Sequence, residues 1–198
     1  VEEFTEDEKE VSELSSEINY DEIYEDINRE TLEQGFENIC IEEEPERLNS
    51  SLEKFEDSVW SNASLDEKKE SMENLADYIR DIIPYDNPPQ IEYYYNEDGG
   101  DFGAFNAESN TLRVNEYTLE DSKEAADTIA HELWHAYQYE RAENPQSPLD
   151  YQYQYNFENY IKPEYGIEAY EEQLVEAEAR AFAGQFKDKL EGIKRSEK

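Results

Sequence analysis

A chain of 198 residues with 36% apolar content is long enough to bury a sizeable core as one domain with a modest extension. Its 53 acidic against 17 basic residues give a net charge of -36, which disfavours binding to nucleic acid or to an anionic membrane and favours cationic partners. One cysteine, Cys40, excludes an internal disulfide, and no stretch approaches the roughly 20 consecutive apolar residues of a membrane span.

The first 45 residues are the most acidic, yet they keep helical spacing. Thr5 to Glu8 reads as a capping box followed by Val11, Leu14 and Ile18 on one stripe, and a second short helix carries Ile23, Tyr24 and Ile27 to a stop at Gly35. After the break at Pro45, Leu48, Leu52, Phe55 and Val59 repeat at helical spacing up to Trp60. Ser64 and Glu67 form another capping signal ahead of Leu65, Met72, Leu75, Ala76, Ile79 and Ile83, an amphipathic helix that Pro84 ends.

From Pro88 the pattern changes to period two. Residues 91–95, 102–105 and 111–115 read as three antiparallel strands joined by turns at 96–100 and 107–110. The next helix is expected to begin near Thr118, with Thr118 as its cap, and to present Ala125, Ala126, Ile129, Leu133 and Ala136 to the core before ending by Asn144 and Pro145. Residues 145–167, with three prolines and six aromatic rings, read as an ordered loop with at most one short strand or turn of helix. A last helix spans about 167–193, with Leu174, Val175, Ala179, Phe182, Phe186 and Leu190 as its apolar stripe.

Both histidines of the chain fall in His131-Glu132-Leu133-Trp134-His135, an HExxH pattern. On a helix, residues four apart share a face, so His131 and His135 can present two imidazoles to one metal ion, most often zinc. Glu132 is turned aside by one residue's rotation, where it can take a proton from a water instead of ligating. A catalytic zinc needs a third protein ligand. No histidine is left and Cys40 lies far upstream, so a carboxylate is expected. The best context is the stretch 173–183, where small residues allow a close helix approach; Glu172, Glu176 and Glu178 all border its apolar stripe, and helical geometry does not choose among them.

HELWHAYQ, followed some forty residues later by a helix bearing ExEAxxFA, resembles the zincin metallopeptidases with a glutamate third ligand, the gluzincins, and especially the minimal zincin domains of the ImmA/IrrE-like kind. The likeness covers residues 128–183. It implies that His131, His135 and Glu176 hold one zinc ion, that Glu132 is the general base, and that Glu178 supports the ligands or the structure. It also implies that the strand before the motif helix, here Thr111–Asn115, edges the cleft and receives an extended peptide through backbone hydrogen bonds.

Hydrolysis further requires a donor for the oxyanion. Tyr165 and Tyr170, just before the ligand-bearing helix, and Tyr153 and Tyr155, in the loop, are candidates, although most of the 16 tyrosines are expected to be packing. Trp134 and Tyr137 read as core and wall. Cys40 reads as a half-buried thiol and not as the zinc-capping thiolate of an inhibitory segment.

Together these features predict an α+β protein: an acidic helical region at 1–84, then at 85–198 a minimal zincin core of a small antiparallel sheet, an active-site helix and a third-ligand helix. The expected function is zinc-dependent hydrolysis of peptide bonds, with peptide or protein substrates, basic ones favoured by the charge, and neither nucleic acid nor membrane as partner. A zincin-like domain without turnover, serving as a binding or structural module of a larger secreted, phage or toxin-like assembly, is one alternative. An acidic decoy of nucleic acid is another. Solubility outside a cell is the simplest reading of the charge and favours secretion over the cytoplasm. A chain that opens on Val1, without a basic-then-apolar leader, is expected to be a trimmed piece of a longer protein.

Overall fold

The computed structural model describes residues 44–96 and 101–196. The helices expected around Val11 and Tyr24, the thiol of Cys40 and most of the 96–100 turn lie outside the described residues.

Pro45 opens the first helix, α1 (Pro45–Leu52), at a position where its missing N–H is no loss. The apolar spacing through Val59 predicts one continuous helix, but the chain tightens into a 3-10 turn at Glu53–Phe55, extends at Glu56 and restarts as α2 (Asp57–Trp60). This break turns Trp60 inward. Its ring stacks on Phe55 at 4.9 Å and its indole N–H donates to the Leu119 carbonyl, whereas Val59 is left 42% exposed. Helix α3 (Leu65–Ile82) begins with the expected capping box between Ser64 and Glu67, and its cap residue Ile83 is already extended, as a residue before proline prefers to be. Met72, Leu75, Ala76 and Ile79 are buried along it, while Leu65 in its first turn is exposed.

The three strands form where period two predicts them, as β1 (Gln90–Tyr94), β2 (Gly103–Asn106) and β3 (Thr111–Asn115). Their arrangement differs from the expected antiparallel sheet. β3 lies in the middle, parallel to β1 and antiparallel to β2. The β2–β3 connection is a tight turn with Asn110 at φ 48°, but the chain between β1 and β2 passes to the far side of β3. Asn115 clamps the parallel pair: its side-chain amide accepts from Asn96 N at 3.0 Å and donates to Asn96 O at 2.9 Å. Because β3 is bonded on both sides, it cannot receive a substrate strand. Among the described residues, β2 is the edge strand next to the motif helix.

A 3-10 turn (Glu116–Glu120) precedes α4 (Ser122–Glu143). Asp121, not Thr118, caps this helix, accepting from the N–H groups of Lys123 and Glu124, while the Thr118 hydroxyl donates to Phe102 O. The tyrosine-rich segment is not a loop but is largely helix, α5 (Pro148–Glu158), started by Pro148 at its first position and a capping box between Ser147 and Asp150. After a 3-10 turn at Pro163–Tyr165, the last helical stretch is broken by extended Gln173 into α6 (Ile167–Glu172) and α7 (Leu174–Ser196). Gln173 bonds Ile161 N, Ile161 O and Tyr170 O, tying the connecting loop to the start of α7.

The described residues thus form seven α-helices and one mixed three-stranded sheet, an α+β fold. α4 is central, packed against α3, α5, α7 and the sheet. One apolar cluster joins Leu48, Phe55, Leu75 and Ile79 to Leu112 and Val114, to Ile129 and Leu133, and to Phe182, Phe186 and Leu190. None of the helices among the described residues is long and apolar enough to cross a membrane.

Candidate metal centre

α4 and α7 pack against each other, and Ala130, Ala179 and Ala183 belong to the buried cluster that joins them. His131 and His135, one turn apart on α4, and Glu176, in the first turn of α7, converge with their donor atoms within 4.8 Å of one another. Bonds of about 2.0–2.1 Å at a tetrahedral angle set neighbouring zinc donors roughly 3.3 Å apart. Here His135 Nε2 lies 3.0 Å from His131 Nε2 and 3.3 Å from Glu176 Oε1, and His131 Nε2 lies 3.4 Å from Glu176 Oε2. The buried Glu176 Oε2 accepts no hydrogen bond. Two imidazole nitrogens and a carboxylate with one oxygen toward each of them converge closely enough to hold a divalent cation, and the oxygen facing His131 lacks a hydrogen bond although Arg180 lies 3.6 Å from it.

The hydrogen bonds behind His135 decide which of its nitrogens faces the centre. Gln138 Nε2 donates to Val175 O and Glu178 Oε2, so Gln138 Oε1 is left to accept from His135 Nδ1 at 3.0 Å. A neutral His135 with its proton on Nδ1 turns the Nε2 lone pair toward His131 and Glu176. Tyr153 also donates to Glu178 Oε2, at 2.6 Å, and Gln138, Tyr153 and Glu178 are fully buried.

The two glutamates differ in charge as well as in position. Burial opposes ionisation of Glu176, but His131 and His135, joined by the Tyr160 hydroxyl, hold its carboxyl well below the usual carboxylate range. Burial pushes Glu178 up, only partly offset by its hydrogen bonds from Tyr153 and Gln138. For His135, burial disfavours the imidazolium, yet Glu176, Glu132 and Gln138 outweigh it and raise its pKa. Glu172 lies exposed on α6, away from the cluster.

Glu132 lies beside the cluster in a cleft of about 480 Å³, and its Oε2 accepts from the backbone N–H of Phe105 on β2 at 2.8 Å. β2 comes this close because residue 103 is glycine: a Cβ there would meet Thr128 Cγ2 at 2.6 Å and Glu132 Cγ at 3.3 Å. Of the tyrosines singled out in the sequence, Tyr170 lines the cleft, and burial with the nearby Glu176 carboxylate pushes it up to about 12. Tyr153 is buried against Glu178, Tyr155 is exposed, and Tyr165 is 78% exposed. Trp134 is buried and stacked on Phe182, and Tyr137 packs against Trp134.

Two residues at the centre have no role in the sequence reading. Gln138 follows His135 by three positions, a helical neighbour that the spacing alone exposes. Tyr160, whose hydroxyl donates to Glu176 Oε1 at 2.5 Å, sits in an irregular loop where no periodicity points to it.

Compared with protein-family models, with curated proteins and with solved structures, the chain matches none. What it carries is a His-His-Glu group, on two helices of an α+β fold, able to hold one metal ion.

Proposed function

We propose that the protein is a zinc-dependent metallopeptidase. The observation that carries this reading is the combination of three donors within 4.8 Å of one another with Glu132 beside them, facing an open cleft and the edge strand β2. His131, His135 and Glu176 would hold the ion. Bound there, zinc would supply a Lewis acid that polarises the scissile carbonyl and acidifies water.

The chain's own groups do the rest. The outward N–H of Phe105 orients Glu132, and the edge of β2 offers backbone groups to an extended peptide. Glu132 takes a proton from the attacking water and delivers it to the amine as the peptide C–N bond breaks and the new C–O bond forms. Tyr160, aimed at the cluster, is the hydroxyl best placed to donate to the oxygen that becomes negative, and Tyr170 stands beside it with ring centroids 6.2 Å apart.

Glu132→Gln is the decisive variant. A glutamine there still accepts from Phe105 N–H, so the fold and the bound metal should persist while cleavage is lost. Zinc per chain by elemental analysis and turnover of a quenched peptide measure the two. Unchanged proteolysis, or a wild-type protein that takes up no zinc, would overturn the assignment.

A further inference from the structure

We propose that the cleft beside the metal cluster receives an aromatic side chain of the substrate, adjacent to the bond that is cleaved. The inference rests on the metallopeptidase reading only in calling the occupant a substrate residue.

Tyr139 follows His135 by one helical turn and therefore shares the face of α4 that carries both histidines. Its ring meets Phe105 of β2 edge-on at 5.9 Å and Phe157 of α5 at 5.5 Å, so three elements contribute three rings to one wall. All three line the same cleft as His131 and Glu132, and each is only half-buried. The core rings Phe55, Trp134, Tyr153, Phe182 and Phe186 are buried outright, whereas these three stay partly open where they border the cleft. A contiguous half-open aromatic wall beside a polar cluster is the lining that an aromatic or large apolar group fills best, since rings prefer edge-to-face and offset neighbours.

Phe105 links the wall to the chemistry. Its N–H holds Glu132 and its ring forms part of the pocket, so a ring lodged there lies beside the carboxylate that moves the proton. Asp101, Glu132 and Glu176 also line the cleft, and none of the described residues lining it is Lys or Arg. The nearest guanidinium, that of Arg180, lies behind this lining and is already paired with Glu176 at 3.6 Å.

The test uses the zinc-loaded full chain and peptidyl hydroxamates that differ only in a benzyl or a methyl side chain. Two series place that side chain on either side of the chelating group. In at least one series the benzyl compound should bind about ten-fold tighter or better. Equal affinities in both would overturn the proposal. In Phe157→Ala the ratio should fall toward one with bound zinc per chain unchanged; a ratio that survives would also overturn it. The metallopeptidase reading fails separately, if zinc-loaded protein prefers the benzyl chelator yet cleaves neither Phe- nor Ala-containing peptides. Protein that takes up no zinc would overturn both.

Discussion

Glu176 and Glu178 are two positions apart on one helix, yet they face different surroundings. A rotation of about 200° separates their side chains. One enters the histidine cluster, and the other enters a pocket of Gln138 and Tyr153. If Gln138 sets the His135 tautomer, Gln138→Leu should keep the fold but weaken zinc binding by about 10- to 100-fold, whereas Glu176→Ala should abolish it. Competition with a chromogenic chelator measures both, and unaltered affinity in Gln138→Leu would remove that residue from the centre. Tyr160→Phe deletes one hydroxyl. For a transition-state donor, kcat should fall by about 100- to 1,000-fold with KM little changed, read from steady-state kinetics. A change confined to KM would assign Tyr160 to substrate binding instead.

At the scale of elements, the helices that carry clear end signals were the legible ones. Ser64 with Glu67, and the Ala125 to Ala136 face of α4, predict helices that form. The same kind of signal, Ser147-Pro148-Leu149-Asp150, starts α5, but the density of tyrosines and prolines obscures it. Asp150 serves that cap and also accepts from Arg141 at 2.5 Å. Burial opposes its charge, but the Gln146 N–H, Ser147 and Arg141 outweigh this and hold its carboxyl below the ordinary aspartate value. The folded state therefore binds this proton less readily than the unfolded chain. The stabilisation is complete above the unfolded value and is lost as pH falls through the folded one. Asp150→Asn should lower Tm at neutral pH, and the gap from wild type should close on acidification below the usual aspartate range. Melting curves across pH measure this; a gap that widens in acid would contradict the pairing.

At the scale of the whole molecule, the chain carries a net charge of -36, and Asp101, Glu132 and Glu176 line the cleft. Cationic peptides should be drawn in, so kcat/KM for a lysine-rich peptide should exceed that for its glutamate-rich counterpart at low salt. The difference should shrink as ionic strength rises and the Debye length falls from ~30 Å at 0.01 M to ~8 Å at 0.15 M. A preference indifferent to salt would place its cause in local contacts. The sequence by itself determined the ingredients: period 3.6 and capping residues for the helices, period two for the strands, and two histidines one turn apart with a glutamate between them. These are local, because spacing along one element sets which side chains share a face. Helical spacing left Glu172, Glu176 and Glu178 open and only the resemblance pointed to Glu176; strand order, the meeting of Glu176 with the histidines, and the arrival of Tyr160 and Phe105 at the centre were decided by tertiary structure. Each depends on which surfaces of separate elements bury against one another: the Asn96–Asn115 clamp, the close approach that Gly103 permits, and the seating of α7 along α4.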